Sequence, residues 1–249
     1  MFEFMPNIVR KMSFFYSPNF DLKKRHKKNI KYLIFHYTGM KNDKLSINRL
    51  TNFNLKVSCH YYITKEGKLI QIVPDLYIAW HAGKSYWKKY KNLNKNSIGI
   101  ELVNKGHQFG YTTFKKKQLL SLQNVCRQFI KKYKIKRKYI VGHSDIAPLR
   151  KIDPGEKFPW KKLADKKIGI WHNCKENILK KSRKVKISSK LKSEFIISLK
   201  KIGYCFNYKR RLNFSKTIKS FQRHYRKELI NGVIDRECWI IAKNISKKI

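Results

Sequence analysis

Apolar residues in this chain fall into two kinds of run. Short runs rich in β-branched and aromatic residues read as buried strands. They are KYLIFHYT (31–38), VSCHYYIT (57–64), KLIQIV (68–73), SIGIELV (97–103) and KYIVGH (138–143). The second and third flank KEG and predict a hairpin with Gly67 in the turn. Longer runs repeat every three or four residues and predict helices. The best is TFKKKQLLSLQNVCRQFIKKY (113–133), where Leu119, Leu122, Cys126, Phe129 and Tyr133 share one face and lysines take the other. A shorter one, SINRLTNF (46–53), has Ser46 as its expected cap. Strands and helices interleave, so residues 31–165 are expected to form one α/β domain.

Outside that span the pattern changes. Residues 1–30 read as an irregular basic lead-in, and 166–189 as a linker. Residues 190–249 hold three short helical patterns. The first stops at Gly203, the second places Ile218, Phe221, Tyr225 and Leu229 on one face, and Asp235 can cap the third. They predict a small three-helix domain. One stretch fits neither period. GHSDIAPLRKIDPGEKFPW (142–160) follows a strand and gathers His143, Asp145, Arg150, Lys151, Asp153 and three prolines. Its prolines argue against regular structure.

Composition narrows the classes. With 249 residues and 42% hydrophobic content, a packed core is expected and global disorder is excluded. The 59 basic residues against 15 acidic ones give a formal charge of +44, which attracts polyanions. Most of that charge is lysine scattered along the whole chain, and no nucleic-acid-binding motif accompanies it, so specific nucleic-acid binding is not expected. The five cysteines are dispersed and odd in number, which argues against a disulfide framework. No run reaches the roughly 18 apolar residues of a membrane span, and the N-terminus has no readable leader.

The candidate chemistry lies at strand ends. His36 and His143 each close an apolar strand, and Asp153 follows on the irregular stretch. Two imidazoles and a carboxylate leave tetrahedral Zn²⁺ one open position, as hydrolytic sites require. Glu101, at the end of SIGIE, is then the candidate proton acceptor, and Lys151 the cation for a developing oxyanion. By spacing alone, strand-end histidines are more often structural, and loop aspartates such as Asp145 and Asp153 often only cap turns.

The motifs FHYTG, SCHYYITKEGKLIQIVPD, AWHAGKSYW, NKNSIGIELVN and GHSDIAPLRKIDPGEKFPW, in this order, resemble the zinc-dependent N-acetylmuramoyl-L-alanine amidases of the amidase-2 family, of the AmpD/AmiD type. The resemblance spans about residues 30–165. It implies a mixed central β-sheet flanked by helices. It implies one Zn²⁺ held by His36, His143 and Asp153, with Glu101 as catalytic acid/base and Lys151 assisting the carbonyl. It implies hydrolysis of the amide between N-acetylmuramic acid, or its 1,6-anhydro form, and L-alanine in peptidoglycan or muropeptides. His81, His60 and Trp80 are the substrate-lining candidates, each with a structural alternative. Leu149 departs from the family, which often has Gly there. Residues 190–249 resemble a type 1 peptidoglycan-binding domain. A non-catalytic peptidoglycan-binding protein is the rival reading, and the filled catalytic positions weigh against it. The wall-binding resemblance favours the cell envelope, periplasm or secretion, while the unreadable leader favours the cytoplasm. The sequence leaves oligomeric state open.

Overall fold

The computed structural model describes residues 13–206 and 211–249. The part of the expected lead-in before Ser13 lies outside them. The strands are β1 (Ser13–Phe14), β2 (Phe20–Asp21), β3 (Tyr32–Tyr37), β4 (Tyr61–Ile63), β5 (Leu69–Gln71), β6 (Ile78–Ala79), β7 (Tyr86–Trp87), β8 (Tyr90–Lys91), β9 (Ser97–Leu102) and β10 (Ile140–Gly142). The helices are α1 (Asp43–Thr51), α2 (Gly106–Phe109), α3 (Lys116–Tyr133), α4 (His143–Ile146), α5 (Trp160–Asp165), α6 (Glu176–Ser182), α7 (Ser189–Ile202), α8 (Arg211–Tyr225) and α9 (Arg236–Ser246). The result is the expected α/β fold with a mixed sheet. Its described residues divide into two compact units, 13–83 with 94–135, and 84–93 with 136–249.

In the first unit the sheet runs in the order β1-β5-β4-β9-β3. β3 and β4 flank β9 in parallel, and β4 pairs with β5 antiparallel in the expected hairpin, Tyr62 opposite Ile70. Gly67 turns that hairpin with φ of 83°, where a β-carbon would also meet the Lys117 carbonyl oxygen at 2.6 Å. Nearly every side chain of β3 and β9 is buried, which explains their continuous apolar runs. The apolar face of α3 packs on β4 through Phe129 and Tyr61, ring centroids 4.9 Å apart.

Two expectations change here. The cap of α1 is Asn42, whose side chain accepts from the Leu45 amide, while the buried Ser46 donates its hydroxyl to the Asn42 carbonyl. The lead-in is not wholly irregular, because β1 pairs with β5 and β2 with β6. Arg25 is a buried anchor, donating to the carbonyls of Asp75, Asn94 and Ser97. Two-residue strands carry no period, and the partners of Arg25 lie far away in sequence, so neither is visible as a local pattern.

Burial, with the Arg25 charge beside it, pushes the His60 imidazole from 6.5 down to about 3. Asp75 is held below 3.8 despite its burial, because Lys132 and the Tyr133 and Tyr61 hydroxyls stabilise its charge. Both groups bind protons more weakly folded than unfolded, so the sign is the same for each. Their stabilisation is present at neutral pH and is lost on acidification, from pH 6.5 towards 3 for His60 and below 3.8 for Asp75. Urea titrations of metal-free protein at pH 7, 5.5 and 4.5 should show stability falling by up to about 1.4 kcal/mol per pH unit. An unchanged midpoint would contradict this.

In the second unit, β10 leads into α4, so the stretch after Gly142 begins with a turn of helix rather than wholly irregular chain. The 166–189 span contains α6, whose short amphipathic pattern is masked by lysines. The three C-terminal helices form, but α8 ends at Tyr225, so Leu229 lies beyond the helix face it was expected to share with Ile218, Phe221 and Tyr225. Gly203 ends α7 with φ of 144°, and the Asp235 side chain accepts from the Cys238 amide to cap α9. Phe195 of α7 meets Phe221 of α8 edge-on at 5.4 Å. Arg183 grips the buried Glu237 with two hydrogen bonds of 2.8 Å each. All five cysteines are free, and Cys59 and Cys126 are buried as expected.

Candidate active site

In the first unit, His36 on β3 lies in register with Glu101 on β9. Partners in register across parallel strands project to the same face, so a buried imidazole and a half-buried carboxylate stand side by side. His36 is 1% exposed. Its Nε2 is hydrogen-bonded to Nδ1 of His81 at 3.0 Å, and Nε2 of His81 to the Ser97 hydroxyl at 3.1 Å. A relay from Ser97 through His81 thus sets the orientation of the His36 ring. His81 itself is 6% exposed. Its place requires Gly99, because a β-carbon there would fall 2.4 Å from Cγ of His81. Neither Ser97 nor Gly99 stood out in the sequence, although a glycine inside a strand signals close approach of another group.

The other substrate-lining candidates of this unit sit differently. His60 is fully buried, its Nδ1 accepting from the Gly99 amide at 3.0 Å and its Nε2 facing Arg25 and the Tyr77 carbonyl. Trp80 is half-buried, and its indole donates to Asp21 at 2.7 Å. His107 is exposed and bonded to the Tyr37 hydroxyl.

In the second unit, His143 and Asp153 are brought together from ten residues apart. Nδ1 of His143 lies 3.0 Å from Oδ2 of Asp153, both residues are buried, and the Ser144 amide donates to the Asp153 carbonyl at 2.8 Å. β10 and α4 hold the start of this stretch. Gly142 is obligatory at that junction, since a β-carbon would lie 2.7 Å from the Pro154 ring. Arg150 donates to the Lys84 carbonyl from both Nε and Nη2. Lys151 is half-buried and lines a cavity of about 300 Å³ together with Lys216, Lys219 and Arg223.

A mixed sheet thus carries a histidine and a glutamate on neighbouring strands, and a buried histidine–aspartate pair lies on a proline-rich segment. Residues 26–156 match the N-acetylmuramoyl-L-alanine amidase family. Over 232 residues the chain is 32% identical to N-acetylmuramoyl-L-alanine amidase AmiD of Escherichia coli (strain K12), covering 88% of this chain and 83% of that protein. Among solved structures it is similar to AmiD from E. coli in complex with the substrate anhydro-N-acetylmuramic acid-L-Ala-D-gamma-Glu-L-Lys, with a TM-score of 0.79, 32% identity, and 92% of each chain covered. It is also similar to AMPDH3 from Pseudomonas aeruginosa, with a TM-score of 0.78, 28% identity, and 93% and 96% of the two chains covered. The chain belongs to the N-acetylmuramoyl-L-alanine amidase family, and with it to the amide hydrolases of peptidoglycan and muropeptides.

Proposed function

We propose that this amidase works with one zinc ion held by His36, His143 and Asp153, and that it cleaves the bond between the lactyl group of N-acetylmuramic acid and L-alanine. The donor set fits the metal. Each of the three residues is buried and offers one ligand atom, and two imidazole nitrogens with one carboxylate oxygen are donors that zinc accepts. When bound, zinc supplies Lewis acidity, which lowers the pKa of water to about 7 and polarises a carbonyl.

The remaining work falls to the chain. Glu101 takes a proton from the attacking water and returns it to the leaving amine of L-alanine, so a single carboxylate serves as base and then acid. Lys151 offers a positive charge to the carbonyl oxygen as it becomes an oxyanion. His81 keeps the His36 ring turned. The observation that supports this reading is the register of His36 with Glu101, which stands an imidazole and a carboxylate on one face of the sheet.

For substrate, we take the class present in the related structures. AmiD is complexed with an anhydromuramyl tripeptide, and AMPDH3 with an anhydromuramic pentapeptide. Residues 190–249 are assigned to peptidoglycan binding on the strength of their three-helix pattern, with catalysis assigned to 31–165. Among the described residues no helix is long and apolar enough to cross a membrane. A wall substrate makes the cell envelope the expected location. The test is release of stem peptide from anhydro-muropeptide. It should stop on treatment with a chelator and return on adding zinc. Release that persists at full rate in metal-free protein would refute the zinc reading.

A further inference from the structure

Asp145 is not used by the chemistry above, yet it is one of the most heavily bonded side chains of the second unit. It is 1% exposed, and its carboxylate accepts three hydrogen bonds. The Gly142 amide donates to Oδ2 at 2.8 Å, the Tyr204 hydroxyl to Oδ1 at 2.6 Å, and Nδ1 of His224 to Oδ2 at 2.7 Å. A carboxylate can only accept, so the proton on that imidazole sits on Nδ1. The His224 ring is clamped between Trp160 and Tyr225, with centroids 3.8 and 3.9 Å away and interplanar angles of 14°. Burial, followed by the Asp145 charge, pushes the Tyr204 phenol well above 10, which keeps it a donor.

Two of these donors come from the C-terminal region, His224 from α8 and Tyr204 from the segment that follows α7, and they are not alone. On α8, Ser220 donates to the Ser144 carbonyl at 2.7 Å and Lys216 to the Leu149 carbonyl at 3.2 Å. Residues 216, 220 and 224 recur every four positions, so one stripe of α8 reaches the chain at 149, 144 and 145 in turn. The segment gripped in this way contains His143, whose Nδ1 faces Asp153.

The geometry points to a second role for the C-terminal helices: His224 and Tyr204, acting through Asp145, are positioning residues that hold the 142–146 turn so that His143 presents its metal-binding face. This rests on His143 being a zinc ligand, as proposed above. A module that only tethers the enzyme to polymer would affect insoluble wall and leave small substrates untouched. A module that also orients a ligand affects zinc affinity and turnover of every substrate. Partners that orient metal ligands typically change affinity by about 10–100-fold when removed.

The experiment uses the full chain and zinc itself, with affinity read by competition against a chromogenic chelator and rate read on soluble anhydro-muropeptide. His224→Phe keeps an aromatic ring in the stack and removes the donor. His224→Asn restores a donor near the Nδ1 position and gives up the stack. The expected result is zinc bound about tenfold more weakly by His224→Phe and near wild-type affinity for His224→Asn, with the soluble substrate slowed only in the former. Should His224→Phe fail to fold, Tyr204→Phe removes a different donor from the same carboxylate at almost constant volume and should also weaken zinc. Wild-type affinity in His224→Phe or Tyr204→Phe overturns the proposal. So does equal weakening in His224→Phe and His224→Asn that tracks a drop in Tm, because that is general destabilisation. Failure of the wild-type chain to bind zinc would instead refute the metal site and leave the contacts of α8 as packing.

Discussion

Glu101→Gln should lower kcat for stem-peptide release by about 10²–10⁴-fold while zinc content stays at the wild-type level. The substitution is nearly isosteric, so the β9 backbone, in register with His36 on β3 and Tyr62 on β4, has no reason to shift. What disappears is the ability to take a proton from water and hand it to the leaving amine. Neither step can be transferred to a side chain seen beside Glu101. His36 is hydrogen-bonded to His81, and Tyr62 is a phenol whose pKa burial pushes above the usual range. The measurement is chromatographic release of peptide from muropeptide at saturating substrate, beside metal analysis of the same preparation. A Gln variant that turns over at the wild-type rate would remove Glu101 from the mechanism. One that has also lost its zinc would make Glu101 part of the metal site.

The second large effect is a contrast between neighbours. Asp153→Ala should lose zinc, with affinity falling by at least about 100-fold, since even outer partners of a site are worth about 10–100-fold. Its activity should drop to background. Lys151→Ala should keep zinc and lose about 10²–10³-fold in kcat, the usual effect of removing one oxyanion donor. Asp153 contributes to the fold through its backbone carbonyl, which accepts from the Ser144 amide, and an alanine retains that bond. Lys151 likewise keeps its amide bond to the Ala147 carbonyl at 3.0 Å. Both variants should therefore fold, and the difference between them should lie in chemistry alone. Zinc stoichiometry and kcat measured on both variants decide it. Zinc retained in Asp153→Ala would remove it from the ligand set. Full kcat in Lys151→Ala would make that lysine one more surface cation.

Much of this was legible in the chain. β3, β9 and α3 are long or strongly periodic, so their burial is written as continuous apolar runs or as a 3.6-residue repeat. The β4–β5 hairpin is marked by a glycine between two apolar runs. The candidate ligands and Glu101 stand at strand ends and on a proline-rich stretch, where side chains can leave the regular pattern, but their proposed roles come from the family resemblance and not from spacing. The apolar pattern sets the cap of α1 four residues late, because Ser46 and Asn42 are both good caps and only the backbone shows which side-chain oxygen meets the free amides. α6 was missed because a seven-residue helix buries too few side chains to show a period.

By itself, the sequence determined the long strands and helices, and which residue types stand at their ends, because both follow from local alternation of apolar and polar positions. It also carried the ordered motifs that mark the family. Three things were decided only by the tertiary structure. His81 turns His36 because Gly99 leaves room for its ring on β9. Arg25 ties the lead-in to carbonyls some fifty to seventy residues away. The stripe on α8 grips the turn at His143 through Asp145, across 79 residues of chain. Each is a directional hydrogen bond between residues far apart in sequence. Hydropathy patterning reports which face of an element is buried, and it carries no information about which donor that face will meet.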